Sequence, residues 1–234
     1  MYLRNFVKSS GWLLISSIFS RFANIFTIAM LARILGPENL GSFNLMQQTI
    51  LTAENLSLLG IDTAIHTKGA KFETYGRKYT GRLFGTGGLL IIISALLISI
   101  SLWFFRFNFA SNIFSEERID SWMIVICFVV FFTSSTNPPW LYLQALNRFK
   151  LFSIRSSLLS FSNLIVIITL SYFFGLGGAL YGLLIVSLFN LIVSTALAYN
   201  VLRAFDIRLK FDNITSQSKS ILKFGLPFYS TNFL

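Results

Sequence analysis

The chain has 234 residues, of which 54% are hydrophobic and 12% charged, with a mean hydropathy of +0.69 and a formal net charge of +10. Soluble domains carry roughly 25% charged residues, so this composition excludes a protein wetted on all sides and identifies an integral membrane protein. The positive charge lies in short segments between apolar runs rather than in a basic domain, which excludes nucleic acid as a partner.

Six apolar segments reach the roughly 20 residues that a helix needs to cross the bilayer core. They run over 11–31, 41–64, 83–104, 121–143, 152–174 and 178–199. The first follows Arg4 and Lys8, as a signal peptide would. It is longer than the roughly 7–15 residues of a secretory apolar region and lacks a small-residue cleavage site, so it reads as an uncleaved span. After the sixth comes a polar stretch, 200–220, and then a seventh apolar segment, 221–234, too short to cross. The expected organisation is therefore an all-α six-helix transmembrane lobe over 1–199, a cytoplasmic linker over 200–220, and the cut-off start of helix 7.

Lys and Arg placement orients the lobe. Of the 19 basic residues, 15 fall on the side of the N-terminus, Arg155 among them. Only Arg33, Arg106 and Arg118 fall on the other, and Arg21 lies within the first span. That asymmetry puts the N-terminus in the cytoplasm. The four tryptophans, Trp12, Trp103, Trp122 and Trp140, sit at span ends, where indoles favour the headgroup level.

An ionised side chain inside a span is costly and is kept where it faces protein or water. Arg21 shares one face of the first span with Ser17, Ser20 and Asn24, spaced three and four apart. In the second span Asn44, Gln48, Leu51, Asn55 and Asp62 recur on one face, with Glu54 beside it. Arg21, Asn24, Asn44, Gln48, Glu54 and Asn55 are the candidate cavity residues, and Arg21 and Glu54 are either a structural ion pair or two groups in a watered wall. The Ser-rich face of the fifth span, from Ser153 to Ser160, reads as helix-to-helix bonding. Asp62 and His66 read as interfacial. Pro138 and Pro139 each remove a backbone donor. They mark either a broken helix at a gate or binding site, or a helix that simply ends at Asn137.

Three function classes compete. A transporter predicts many spans, short loops, inward polar stripes and helix breaks, all of which occur. A membrane-embedded glycan enzyme predicts clustered carboxylates or histidines in a sizeable loop. Here Glu116, Glu117 and Asp120 lie on one side and Asp206 and Asp212 on the other, at no catalytic spacing. Nothing positive argues for a purely structural protein. The lone Cys127 lies in an apolar run, no spacing suits a metal site, and no cofactor is called for.

Four segments carry a family resemblance. The run from Leu31-Ala32-Arg33-Ile34-Leu35-Gly36-Pro37 to Gly41-Ser42-Phe43 resembles the signature after the first span of polysaccharide-unit flippases of the Wzx type, within the multidrug/oligosaccharidyl-lipid/polysaccharide (MOP) exporter superfamily. Tyr142 to Lys150, Gly175 to Gly182, and Leu222 to Pro227 are similar to later motifs of the same family, in the same order. The resemblance implies a MATE-like fold of two six-helix lobes around a central cavity. It also implies export of an undecaprenyl-diphosphate-linked oligosaccharide across the bacterial plasma membrane, driven by a coupling ion, H+ or Na+. Ser20-Arg21 is similar to a Ser-Arg pair in the first helix of the related lipid II flippases, which implies that Arg21 serves the anionic substrate. No second arginine follows six residues later, where Thr27 stands. Relative to that family only one lobe is expected here, either as a truncated product or as half of a pair completed by a second lobe or chain. The competing reading within the superfamily is a cation-coupled multidrug exporter, which would use a cavity carboxylate such as Glu54.

Overall fold

The computed structural model describes residues 2–106 and 120–231, with side chains at 11, 14–106 and 122–227. Glu116, Glu117 and Arg118 lie outside the described residues, as do the side chains of Arg4, Lys8, Trp12 and Asp120. The described chain is helical almost throughout: α1 (Tyr2–Leu58), α2 (Ile61–Gly69), α3 (Phe72–Phe104), α4 (Asp120–Ser135), α5 (Asn137–Ala145), α6 (Phe149–Ala204) and α7 (Ile214–Thr231).

Four stretches are long and apolar enough to cross a membrane: Leu14–Leu58, Phe72–Phe104, Trp122–Ala145 and Phe149–Ala204. At 1.5 Å per residue the first and last are about twice the length a single crossing needs. Both are broken near the middle. Gly36 adopts φ 74°, ψ 173° and Gly175 φ 60°, ψ −139°, backbone regions that essentially only glycine occupies. Pro37 then opens the second arm of α1, in the first turn, where its missing N–H costs nothing. The Gly-Pro and Gly-rich signals in the sequence therefore mark real reversals of helix direction.

The helix bounds depart from the sequence reading at several places. The second arm of α1 stops at Leu58 rather than continuing to 64, because Leu59 and Gly60 both take positive φ. Asp62 and His66 consequently belong to the short α2. The linker shortens to 205–213, because α6 runs on to Ala204 and α7 starts at Ile214.

The outside of the bundle is apolar: Phe22, Phe104, Tyr172 and Phe173 are each about 70% exposed. A water-facing surface would not tolerate this, whereas lipid does. Inside, two apolar cores form. Leu31, Phe43, Met46, Ile50, Met123, Ile126 and Leu180 pack together. Ile61, Ile65, Phe84, Leu143, Leu202 and Ile221 build a second core toward the basic end.

A cavity around Arg21 and a buried arginine network

The first site grows from the first arm of α1. Ser20, Arg21, Asn24 and Thr27 follow helical spacing, so they present one face. That face, with Gln47 from the second arm and Ser160 and Asn163 from α6, lines a cavity of about 370 Å³. Ser160 Oγ lies 2.8 Å and Ser156 Oγ 3.4 Å from Ser20 Oγ, tying α1 to α6 beside the arginine. Thr27 donates its hydroxyl to Ala23 O at 2.8 Å. The position where the related flippases place a second arginine is thus a self-satisfied part of the wall. Arg21 itself is exposed to the cavity. Among the described residues no carboxylate lies within ion-pair distance of it.

Not every candidate residue joins this cavity. Arg21 and Asn24 line it. Asn44, Gln48 and Asn55 are exposed on the second arm of α1 and lie outside it. Glu54 is not its neighbour either. Its carboxylate accepts a 3.0 Å hydrogen bond from Asn137 Nδ2. The pairing of Arg21 with Glu54 left open by the sequence is thereby corrected: Glu54 lies seven residues beyond Gln47, on the same helix face but two turns further along, where it meets Asn137 of α5.

Arg155 is the residue that the sequence reading misplaced. Counted there among the cytoplasmic charges, it is 3% exposed. Its Nε donates to Ser194 Oγ and one terminal nitrogen to Asn190 Oδ1, both at 2.6 Å. Ser194 in turn donates to Asn190 at 2.9 Å. The guanidinium lies 3.8 Å from the Trp140 ring centroid, a stacking worth about 2 kcal/mol where water is excluded. Asn190 and Ser194 sit four apart on the second arm of α6, so Arg155 pins the two arms of that helix together. Two signals were available in the sequence: Arg155 falls three residues inside an apolar run, and Trp140 need not mark an interface.

The proline pair builds the third side of this network. Ser135 ends α4, and Asn137 begins α5 with Pro138 and Pro139 in its first turn. The helix is broken and restarted. Thr133, Ser135 and Thr136 donate their hydroxyls to Val129 O, Phe131 O and Thr133 O at 2.7–2.8 Å, binding carbonyls around the break. That is how interrupted helices are kept inside a bilayer. The restart aims Asn137 at Glu54 and Trp140 at Arg155. Both prolines are buried, away from the Arg21 cavity. No group of three or more metal-ligating side chains comes together among the described residues.

Long apolar helices, reversed at glycines and packed around a cavity that exposes an arginine, define a multi-pass membrane protein. The chain belongs to the polysaccharide biosynthesis protein family, whose model matches residues 6–234. Its fold is similar to that of a solved MOP superfamily transporter from Pyrococcus furiosus Vc1 (DSM3638), with a TM-score of 0.76 at 18% sequence identity. The likeness covers 97% of this chain and 52% of the other, so the chain spans about half that transporter's length. No curated protein matches significantly. The motif resemblance to Wzx-type exporters of the MOP superfamily is thereby borne out.

Proposed function

We propose that this chain is one lobe of an exporter that moves an undecaprenyl-diphosphate-linked oligosaccharide across the bacterial plasma membrane. The observation that carries the reading is Arg21: a cation with no carboxylate partner among the described residues, in a cavity of about 370 Å³ inside an apolar helix. A guanidinium forks onto two oxygens of a phosphate group. Around it Asn24, Gln47 and Asn163 offer amide donors and acceptors of the kind that suit sugar hydroxyls. In this reading α1 and α6 each cross the bilayer twice, as their lengths support, giving six passes with the N-terminus in the cytoplasm. The exposed Asn44, Gln48 and Asn55 face a second lobe or chain that completes the cavity, and a proton or sodium gradient drives the cycle.

The carboxylate-based alternative, a cation-coupled drug exporter, needs Glu54 open to the cavity. Its hydrogen bond from Asn137, away from the Arg21 cavity, weighs against that. The test is Arg21→Ala, read by binding of the diphosphate-linked glycan to purified protein and by glycan export in cells lacking their own exporter. Loss of both is expected with the protein still folded. Unchanged binding and export would remove the role assigned to Arg21.

A further inference from the structure

A second cavity, about 610 Å³ and almost entirely apolar, lies between α3, the α4–α5 break and the second arm of α6. Ile92, Phe131, Pro138 and Leu191 line its deep part, and Leu209 and Phe211 close its mouth. At 1.5 Å per residue it follows α6 for about 16 Å, from Leu191 to Leu202.

The mouth is made by the extended strap that joins α6 to α7. The strap lies hard against α3: Lys210 N donates to Gly81 O at 3.1 Å. A Cβ at Gly81 would collide with Arg208 O, and one at Gly85 with Lys210 O. Two glycines four apart on α3 thus let a non-helical backbone seat directly on the helix. Side chains alternate along an extended segment, and here the alternation separates two chemistries. Leu209 and Phe211 face the apolar cavity. Arg208 and Lys210 line an adjoining cleft with Arg77 and Lys78. Arg203, beside Leu202 and Leu209, extends the basic rim. Asp206 is bound by Arg77 at 3.3 Å and Asp212 by Arg82 at 3.6 Å, so the cations outnumber the acids at the rim.

An apolar slot that opens under a ring of basic side chains matches the two ends of one molecule. We propose that this groove is a binding site for an anionic diacyl phospholipid, of the phosphatidylglycerol type. One acyl chain lies along α6 against the proline break, and the phosphate sits among Arg208, Lys210 and Lys78. Basic pockets between helices at the membrane surface bind anionic headgroups in this way. The site is distinct from the Arg21 cavity and stands independently of the transported substrate. The bound lipid would clamp the strap onto α3 and brace the α4–α5 break, which carries Asn137 and Trp140 into the arginine network.

The test uses the delipidated full chain in detergent and native mass spectrometry, with phosphatidylglycerol and phosphatidylcholine as probes. One saturable phosphatidylglycerol adduct is expected, and phosphatidylcholine should bind far more weakly. At roughly fivefold per basic charge near the surface, the double variant Arg208→Gln/Lys210→Gln should lose ~25-fold in phosphatidylglycerol affinity with phosphatidylcholine unchanged. Thr195→Trp, or Ile92→Trp where the first does not fold, fills the groove and should abolish the adduct. Free glycerol phosphate should not bind. Equal binding of the two lipids, an unchanged double variant, an adduct that survives groove filling, or displacement of phosphatidylglycerol by equimolar undecaprenyl phosphate would each overturn the assignment.

Discussion

Two arginines on neighbouring helices meet opposite fates in this protein. Arg21 opens onto a cavity and has no carboxylate partner among the described residues. Arg155 is sealed between α5 and both arms of α6, with two short hydrogen bonds and an indole under its plane. The two sites nearly touch. Ser156, the residue after Arg155, faces Ser20, the residue before Arg21. One residue along a helix turns a side chain by about 100°, and that rotation separates a cation that faces a cavity from one consumed by the fold. A charge inside a membrane protein is therefore not by itself a functional site; what distinguishes the two is whether its donors are already spent.

The sharpest way to break the comparison is Arg155→Ala. It strands Asn190 and Ser194 in a largely closed interior. Removing one partner of a buried charged set costs about 3–5 kcal/mol. The variant should melt far earlier in detergent and lose transport together with its fold. Arg155→Lys should recover little, since an ammonium cannot keep the forked geometry and the flat stacking at once. A variant with wild-type melting would mean that Arg155 is not the pin.

Arg21→Ala should do the reverse. Its melting should stay within about 0.5 kcal/mol of the parent, as for sites without structural partners, while glycan export is lost. If melting falls as far as in Arg155→Ala, Arg21 is structural and the contrast collapses.

Asn137→Ala comes next. It removes the hydrogen bond to Glu54 and leaves a partly buried carboxylate short of one donor, at about 1–3 kcal/mol. The loss should be largely absent in a Glu54→Leu/Asn137→Ala double variant compared with Glu54→Leu alone. Independent, additive costs would show that the break does not position Asn137 for Glu54.

The smallest effect belongs to Arg77→Ala. Its 3.3 Å pair with Asp206 is more than 60% exposed on both sides, and such pairs contribute about 0–1 kcal/mol. A shift larger than that would mean that the strap depends on this bond rather than on its seating against Gly81 and Gly85.

Much of this architecture was legible in the chain. Hydropathy marks the apolar stretches because lipid imposes one rule on every outward side chain. The reversals at Gly36-Pro37 and Gly175 were readable because those backbone angles exclude nearly every other residue. The 3.6-residue period put Ser20, Arg21 and Asn24 on one face, and the structure keeps them together.

Other features were decided only by tertiary packing. Charge counting treated Arg155 as a loop residue because the sum is blind to which helix lies opposite. The polar face of the second arm of α1 was real as periodicity, yet it splits in space: Gln47 joins Arg21, Glu54 turns to Asn137, and Asn44, Gln48 and Asn55 remain exposed. The prolines signalled a break, but only the packed bundle shows that the helix restarts and carries Asn137 and Trp140 to a buried cation. Local sequence determines which residues share a helix face, because the period is a property of one backbone. Which face meets which depends on how all the helical arms pack at once, and there, among the described residues, the donors of Arg155 were satisfied while Arg21 was left facing a cavity.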